Sequence, residues 1–194
     1  MLRVNFYGGP GVGKSTLAAR VYAELNRASA VSTELVREFI KGWAYEGKEP
    51  DGWDQVFTFA SQLYEEHRLA KAGVEVVVTD SPVLLQCVYA GLKDAVAASH
   101  LVNLALYYEK AHTALNFFVA RRVAYDPSGR FQTPGALAEL DKRIEACLKQ
   151  LRIPYLRVTP ADWDVILQTV REAAYSNKPI GMRGKPSGPP TTLG

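Results

Sequence analysis

LRVNFY-GGPGVGKS, residues 2–15, is the stretch on which the reading of this chain turns. Leu2 to Tyr7 is short, alternating and rich in β-formers, and it runs straight into glycines at positions 8, 9, 11 and 13. Beyond them Leu17, Ala18, Val21, Leu25 and Ala28 recur at three- and four-residue intervals, the signature of a helix with one apolar face. Strand, glycine loop and helix therefore follow one another. Gly8-x-x-x-x-Gly13-Lys14-Ser15 in that setting is a complete Walker A motif. Its spacing suits a phosphate chain because backbone N–H groups must wrap the anion, side chains at the glycines would block them, and the following helix turns its N-terminus to the charge. Gly8, Gly9, Pro10, Gly11, Val12, Gly13, Lys14, Ser15 and Thr16 are thus the expected nucleotide-binding residues, with Lys14 on the β- and γ-phosphates and the Ser15 hydroxyl on Mg²⁺. The expected ligands are ATP and Mg²⁺.

Outward from this loop the chain alternates strands and helices. Further strands are expected at residues 30–32, 74–79, 114–120 and 153–158. Helices are expected through Leu35, Val36, Phe39 and Ile40, then over 53–72 with Gly73 as its stop, 83–90, 95–111, 134–151 and 160–175. Residues 42–52 read as a loop, while Thr133-Pro134 and Thr159-Pro160 both read as an N-cap followed by a first helical residue. The fold class is α/β: a three-layer P-loop NTPase sandwich with a five-stranded parallel sheet, helices on both faces and a lid. Its domain spans 1–175, the lid 121–133, and a Pro/Gly-rich tail 176–194 with no periodic apolar face reads as disordered.

Composition narrows the class. With 194 residues, 47% of them hydrophobic and 22% charged, the chain suits one globular domain. The net charge of +3 lies wholly in the tail, where Lys178, Arg183 and Lys185 have no acid beside them. The body is electroneutral, so any long-range attraction to nucleic acid would rest on those last residues. Cys87 and Cys147 lack metal or disulfide spacing, and no apolar run approaches the roughly 20 residues that cross a bilayer. A soluble protein of a reducing cytoplasm, without a membrane partner, is the expectation.

Asp80 ends the third strand, where a carboxylate faces the ligand crevice and either holds Mg²⁺ or takes a proton from an attacking hydroxyl; capping the next helix is compatible with both. Ser81 follows it, where many ATPases place a water-orienting Glu. Asn177-Lys178-Pro179-Ile180 lacks the Asp of a guanine-reading motif. Arg121, Arg122 and Arg130 sit in the polar stretch after strand four, suited to clamp a transferred phosphoryl group as a lid closes. Glu34, Arg37, Glu38 and Lys41 cluster after strand two as acceptor-binding candidates, any one of which serves equally as a solvated surface charge. Trp43, Tyr45 and Trp53 are either base-stacking or packing residues. His67, His100 and His112 have no metal-ligand spacing.

FYGGPGVGKST, ELVREF, VVVTDSPVLL and ARRVAYDPSGRFQT together resemble a group of small bacteriophage P-loop kinases, over about residues 2–158. The group resembles nucleoside monophosphate kinases in architecture and includes the 5-hydroxymethyluridine DNA kinases, which phosphorylate the hydroxymethyl group of a modified pyrimidine in phage DNA on the way to hypermodification. The resemblance implies nucleotide binding at Gly8, Gly13, Lys14, Ser15 and Thr16, a metal or acceptor role for Asp80, a phosphate clamp at the lid arginines, and hydroxymethylated phage DNA as partner. A free nucleoside or nucleoside monophosphate acceptor remains the alternative, and from another class an ATPase or nucleotide-dependent switch.

Overall fold

The computed structural model describes residues 1–121 and 134–176. Arg122, Arg130, Thr133 and most of the expected lid and tail lie outside the described residues. The strands are β1 (Leu2–Tyr7), β2 (Thr33–Val36), β3 (Val76–Thr79), β4 (Thr113–Val119) and β5 (Leu156–Val158). They form one parallel sheet in the order β2-β3-β1-β4-β5. Between them run helices α1 (Lys14–Ala28), α2 (Lys41–Tyr45), α3 (Gly52–Lys71), α4 (Val83–Gly91), α5 (Ala95–Ala111), α6 (Pro134–Gln150) and α7 (Trp163–Tyr175). The expected five-stranded parallel α/β fold is the observed one.

β1 lies in the middle because it is buried along its whole length. Its alternation separates the two faces. Leu2, Val4 and Phe6 join Leu17, Val21 and Leu25 of α1 and Ile166 and Val170 of α7 in one apolar layer. Tyr7 joins the other, with Phe59 of α3, Leu84 of α4, Leu101 and Ala105 of α5 and Ile144 and Leu148 of α6. Leu17, Val21 and Leu25 of α1 bury fully, each contributing on the order of 1.5–3 kcal/mol relative to exposure.

Arg3 points to the second face and is wholly buried. Its Nε donates to Glu66 of α3 at 2.7 Å and its Nη1 to Glu109 of α5 at 2.6 Å, and its guanidinium lies 4.8 Å from the Tyr108 ring centre. The two carboxylates hold Arg3 charged against burial, while burial pushes the Glu66 carboxyl upward. Gln62 continues the chain of contacts, donating to Glu66 at 3.2 Å and to Thr79 Oγ1 at 3.1 Å, which also accepts the Ser81 N–H at 3.1 Å. A buried polar thread thus links the central strand to the turn that carries Asp80.

Several local expectations shift. The second strand is not at 30–32, and Leu35 and Val36 belong to β2 and not to a helix. Their spacing with Phe39 and Ile40 imitates a helical face, but pairing of Thr33 to Val36 with Val76 to Thr79 satisfies the backbone, and the burial pattern follows an edge strand. Short α2 starts at Lys41 and runs into the expected 42–52 loop. The last helix starts at Trp163, not after Thr159, because the Asp162 carboxylate accepts the Thr159 N–H at 2.7 Å and its hydroxyl at 2.9 Å, closing a turn before the helix. β5 is shorter than expected: Pro154 has no N–H to give, and its carbonyl accepts from Asn116 at 2.9 Å. Other boundaries stand close to expectation, with Asp51 and Asp54 forming a capping box at α3, Gly73 left-handed just beyond it, and Asp94 capping α5.

Replacing Glu66 with Ala leaves part of a buried guanidinium without its partner, and we expect a loss of about 3–5 kcal/mol. Urea denaturation followed by circular dichroism measures it; a loss under about 1 kcal/mol would mean that Glu109 alone holds Arg3.

Candidate active site

The phosphate loop begins where β1 ends. Gly8 has φ +132°, and a Cβ there would lie 2.8 Å from the Val119 carbonyl oxygen of β4. Only glycine leaves the central strand at that angle and that close to a neighbouring backbone. Gly13 caps α1 in a left-handed conformation with no side-chain cap, so the first-turn N–H groups of that helix face no capping group of their own. Ser15 is half-buried and Thr16 exposed in that first turn. Lys14 folds back, donating from Nζ to the Gly9 carbonyl at 2.9 Å.

Burial pulls the Lys14 ammonium below its ordinary value, and Glu38, Asp80 and Asp141 oppose that pull. Half-buried Lys14 thus lies within electrostatic reach of three carboxylates. Asp80 stands at the end of β3, next to β1, and its Oδ1 accepts the Glu38 backbone N–H at 2.9 Å. This contact ties the segment after β2 to the end of β3. Burial raises the Glu38 carboxyl above the ordinary glutamate value, with Lys14 opposing and Asp80 adding to the rise.

Of the four acceptor candidates, Arg37, Glu38 and Lys41 line one open cavity of about 360 Å³ together with Gly42 and Tyr45. Glu34 does not join them. It stands exposed in β2, where the charge it feels is Arg68 of α3. Trp43 is a packing residue: it stacks on Phe57 at 6.2 Å between ring centres, Phe39 meets Phe57 edge-on at 5.4 Å, and Lys48 lies 3.6 Å over the Trp43 ring. Tyr45 and Trp53 are exposed. Of the expected lid arginines only Arg121 is among the described residues. Its Nε donates to Asp141 at 2.7 Å and its Nη1 to the Pro10 carbonyl at 3.0 Å, so it sits on the phosphate loop.

Two residues of this site were not anticipated. Asp141 of α6 accepts the Gly9 N–H at 2.7 Å as well as Arg121. Its signal was a carboxylate on an apolar helix face, four residues after Leu137 and three before Ile144, both fully buried. Tyr89 of α4 is a phenol held protonated by burial and by Glu38 and Asp141, with no sequence mark beyond its place one turn after Gln86. Mg²⁺ prefers hard oxygen donors and keeps few protein ligands, and a Ser15 hydroxyl with an Asp80 carboxylate is a donor set of that kind. No cluster of three His, Cys, Asp or Glu able to hold a metal occurs among the described residues, and the histidines form none.

An AAA-domain family profile (AAA_28) matches residues 3–165, most of the chain and all of the sheet but Leu2. The chain belongs to this AAA-domain family. Among solved structures it is similar to deoxyadenosine kinase from M. mycoides with bound dATP, at 15% identity and TM-score 0.52 over 88% of this chain and 98% of that one. It is also similar to APE1195 at 15% identity and TM-score 0.48, over 92% of this chain and 96% of that one. The kinase likeness is one of fold. No curated protein matches the sequence. Among the described residues no helix is long and apolar enough to cross a membrane.

A methyl group at position 8 has no space and an unfavourable φ. Gly8→Ala should cost about 1–3 kcal/mol and abolish nucleotide binding, read by thermal denaturation and by ATP titration. Retained ATP affinity would show that the loop tolerates a different path.

Proposed function

We propose that this protein is an ATP-dependent kinase that transfers the γ-phosphate to a hydroxyl group of a nucleotide. One observation carries the reading: the Walker lysine, the Asp80 carboxylate and the half-buried Glu38 carboxylate stand within electrostatic reach of one another, and Glu38 lines an open cavity. An acceptor in that cavity would bring its hydroxyl to a carboxylate and to the terminal phosphate together. The finer reading is that the acceptor is 5-hydroxymethyl-deoxyuridine in phage DNA, supported by the sequence resemblance of ELVREF, VVVTDSPVLL and the lid stretch. The protein would then act in the host cytoplasm, with the basic tail as its contact to DNA.

A second reading, a free nucleoside or nucleoside monophosphate acceptor, is favoured by the likeness of fold to a deoxyadenosine kinase and by charge. Residues 37–54 around the cavity carry Arg37, Lys41 and Lys48 against Glu38, Glu46, Glu49, Asp51 and Asp54, an acidic balance unsuited to a polyanion. The ATPase or switch reading has the least support, since Ser81 stands where a water-orienting Glu would be.

In this mechanism Glu38 takes the proton of the acceptor hydroxyl as its oxygen forms the new bond to the γ-phosphorus. The bond from that phosphorus to the β,γ-bridging oxygen breaks, and its electron pair leaves with ADP. Lys14 and Arg121 counter the charge that spreads over the transferred group. Mg²⁺, held by Ser15 and Asp80, would supply further charge neutralisation on the phosphates.

Labelled phosphate from ATP, offered to hydroxymethylated duplex, unmodified duplex and free nucleotides, tests the proposal. We expect label on the hydroxymethylated duplex; label only on free nucleotides selects the second reading, and release of phosphate with no labelled acceptor sinks the kinase. Lys14→Ala and Asp80→Asn should each lower transfer by at least about a hundredfold while the fold persists. Because the Glu38 carboxyl is raised, the protonated, inactive form extends to higher pH than for an ordinary glutamate. Transfer should therefore climb with pH through that raised value, and Glu38→Gln should remove this acid limb along with most of the rate.

A further inference from the structure

Arg121 has three guanidinium nitrogens, and two have acceptors. Nε is bound to Asp141 and Nη1 to the Pro10 carbonyl, but Nη2 is buried and has no hydrogen-bond partner among the described residues. A buried donor without an acceptor is costly, and Arg3 Nη2 in the core shares that state; what sets Arg121 Nη2 apart is its place. The position of Nη2 says which ligand it suits. A Cβ built on Gly9 would lie 3.1 Å from it, so this nitrogen rests against the backbone of the phosphate loop itself.

Asp141 brings this about. One carboxylate oxygen takes the Gly9 N–H and the other takes Arg121 Nε, each at 2.7 Å, so a single side chain rivets the arginine to the loop. The rivet is tight: a Cβ on Gly9 would come 2.5 Å from Asp141 Oδ1, so the approach depends on glycine. Free arginine side chains are flexible, and anchoring two of the nitrogens leaves the third with one direction to point. Asp141 also offsets the charge of Arg121.

We propose that Asp141 is a positioning residue that holds Arg121 against the phosphate loop so that Nη2 meets the terminal phosphate of a bound nucleoside triphosphate. The pair would then distinguish a triphosphate from a diphosphate. This rests on the loop being a triphosphate site and not on the identity of the acceptor.

The test uses the full chain with Mg²⁺ and calorimetric titration of AMP-PNP and of ADP. Arg121→Ala should weaken AMP-PNP by about ten- to a hundredfold, the scale of a charge-assisted hydrogen bond, with ADP within about twofold of wild type. Asp141→Asn should give the same selective loss, and the double variant should be no worse than Arg121→Ala. A merely structural Asp141 would weaken both nucleotides alike. That result, an unchanged AMP-PNP affinity, or losses that add in the double variant would overturn the proposal. Should Asp141→Asn fail to fold, Arg121→Lys decides: it keeps the charge but not the planar fork that Asp141 orients, so the selective loss should persist and wild-type affinity would refute it. Neither titration needs an acceptor, so the outcome stands apart from any failure of phosphate transfer.

Discussion

The structure depends on one backbone constraint: the central strand must leave the sheet at Gly8 with φ +132° while passing close to the carbonyl of Val119. β1 is buried on both faces and cannot move sideways to relieve a clash there. The turn at its end is therefore set by the sheet, and α1 starts at the only place the turn allows. With no side-chain cap at Gly13, the electropositive end of that helix is left for an anion. Strand, loop and helix act as one rigid device.

Charge is distributed around that device in two ways. Far from the loop, Arg3 lies among Glu66, Glu109 and Tyr108, and Gln62 carries the contacts on to Thr79 and Ser81. Even there Arg3 Nη2, Gln62 Oε1 and the Tyr108 hydroxyl have no hydrogen-bond partner among the described residues. At the loop, Lys14 and Arg121 are balanced by Glu38, Asp80 and Asp141, yet an arginine nitrogen stays without a partner. The clusters differ in place: the first is sealed in the core, and Arg121 lies against the phosphate loop.

Much of this was legible along the chain. The Walker spacing, the burial of Val76 to Thr79 and the apolar faces of α1 and α5 each rest on local patterns, and local patterns survive folding. Thr33 to Val36 did not yield to such reading, because four residues at a sheet edge have too little alternation to overrule a chance helical spacing. Thr159 likewise promised a cap, but its hydroxyl donates to the Asp162 side chain, three residues on, and the helix begins only after that turn. Trp43 was open between stacking and packing until Phe39 and Phe57 were brought beside it from separate segments.

The sequence by itself determined the α/β class, the phosphate loop and the residues that line it, because glycine spacing and hydrophobic period are properties of neighbours in the chain. It also placed Asp80 at a strand end facing the crevice. Only the tertiary structure decided that Glu38 joins Lys14 and Glu34 does not, since both are acids in one short segment and the edge strand sends one outward. Only the tertiary structure brought Asp141 to Gly9 across 132 positions. A carboxylate on a helix face carries no local mark of the N–H it will meet; that pairing is made by the sheet, which sets β1, β4 and α6 side by side.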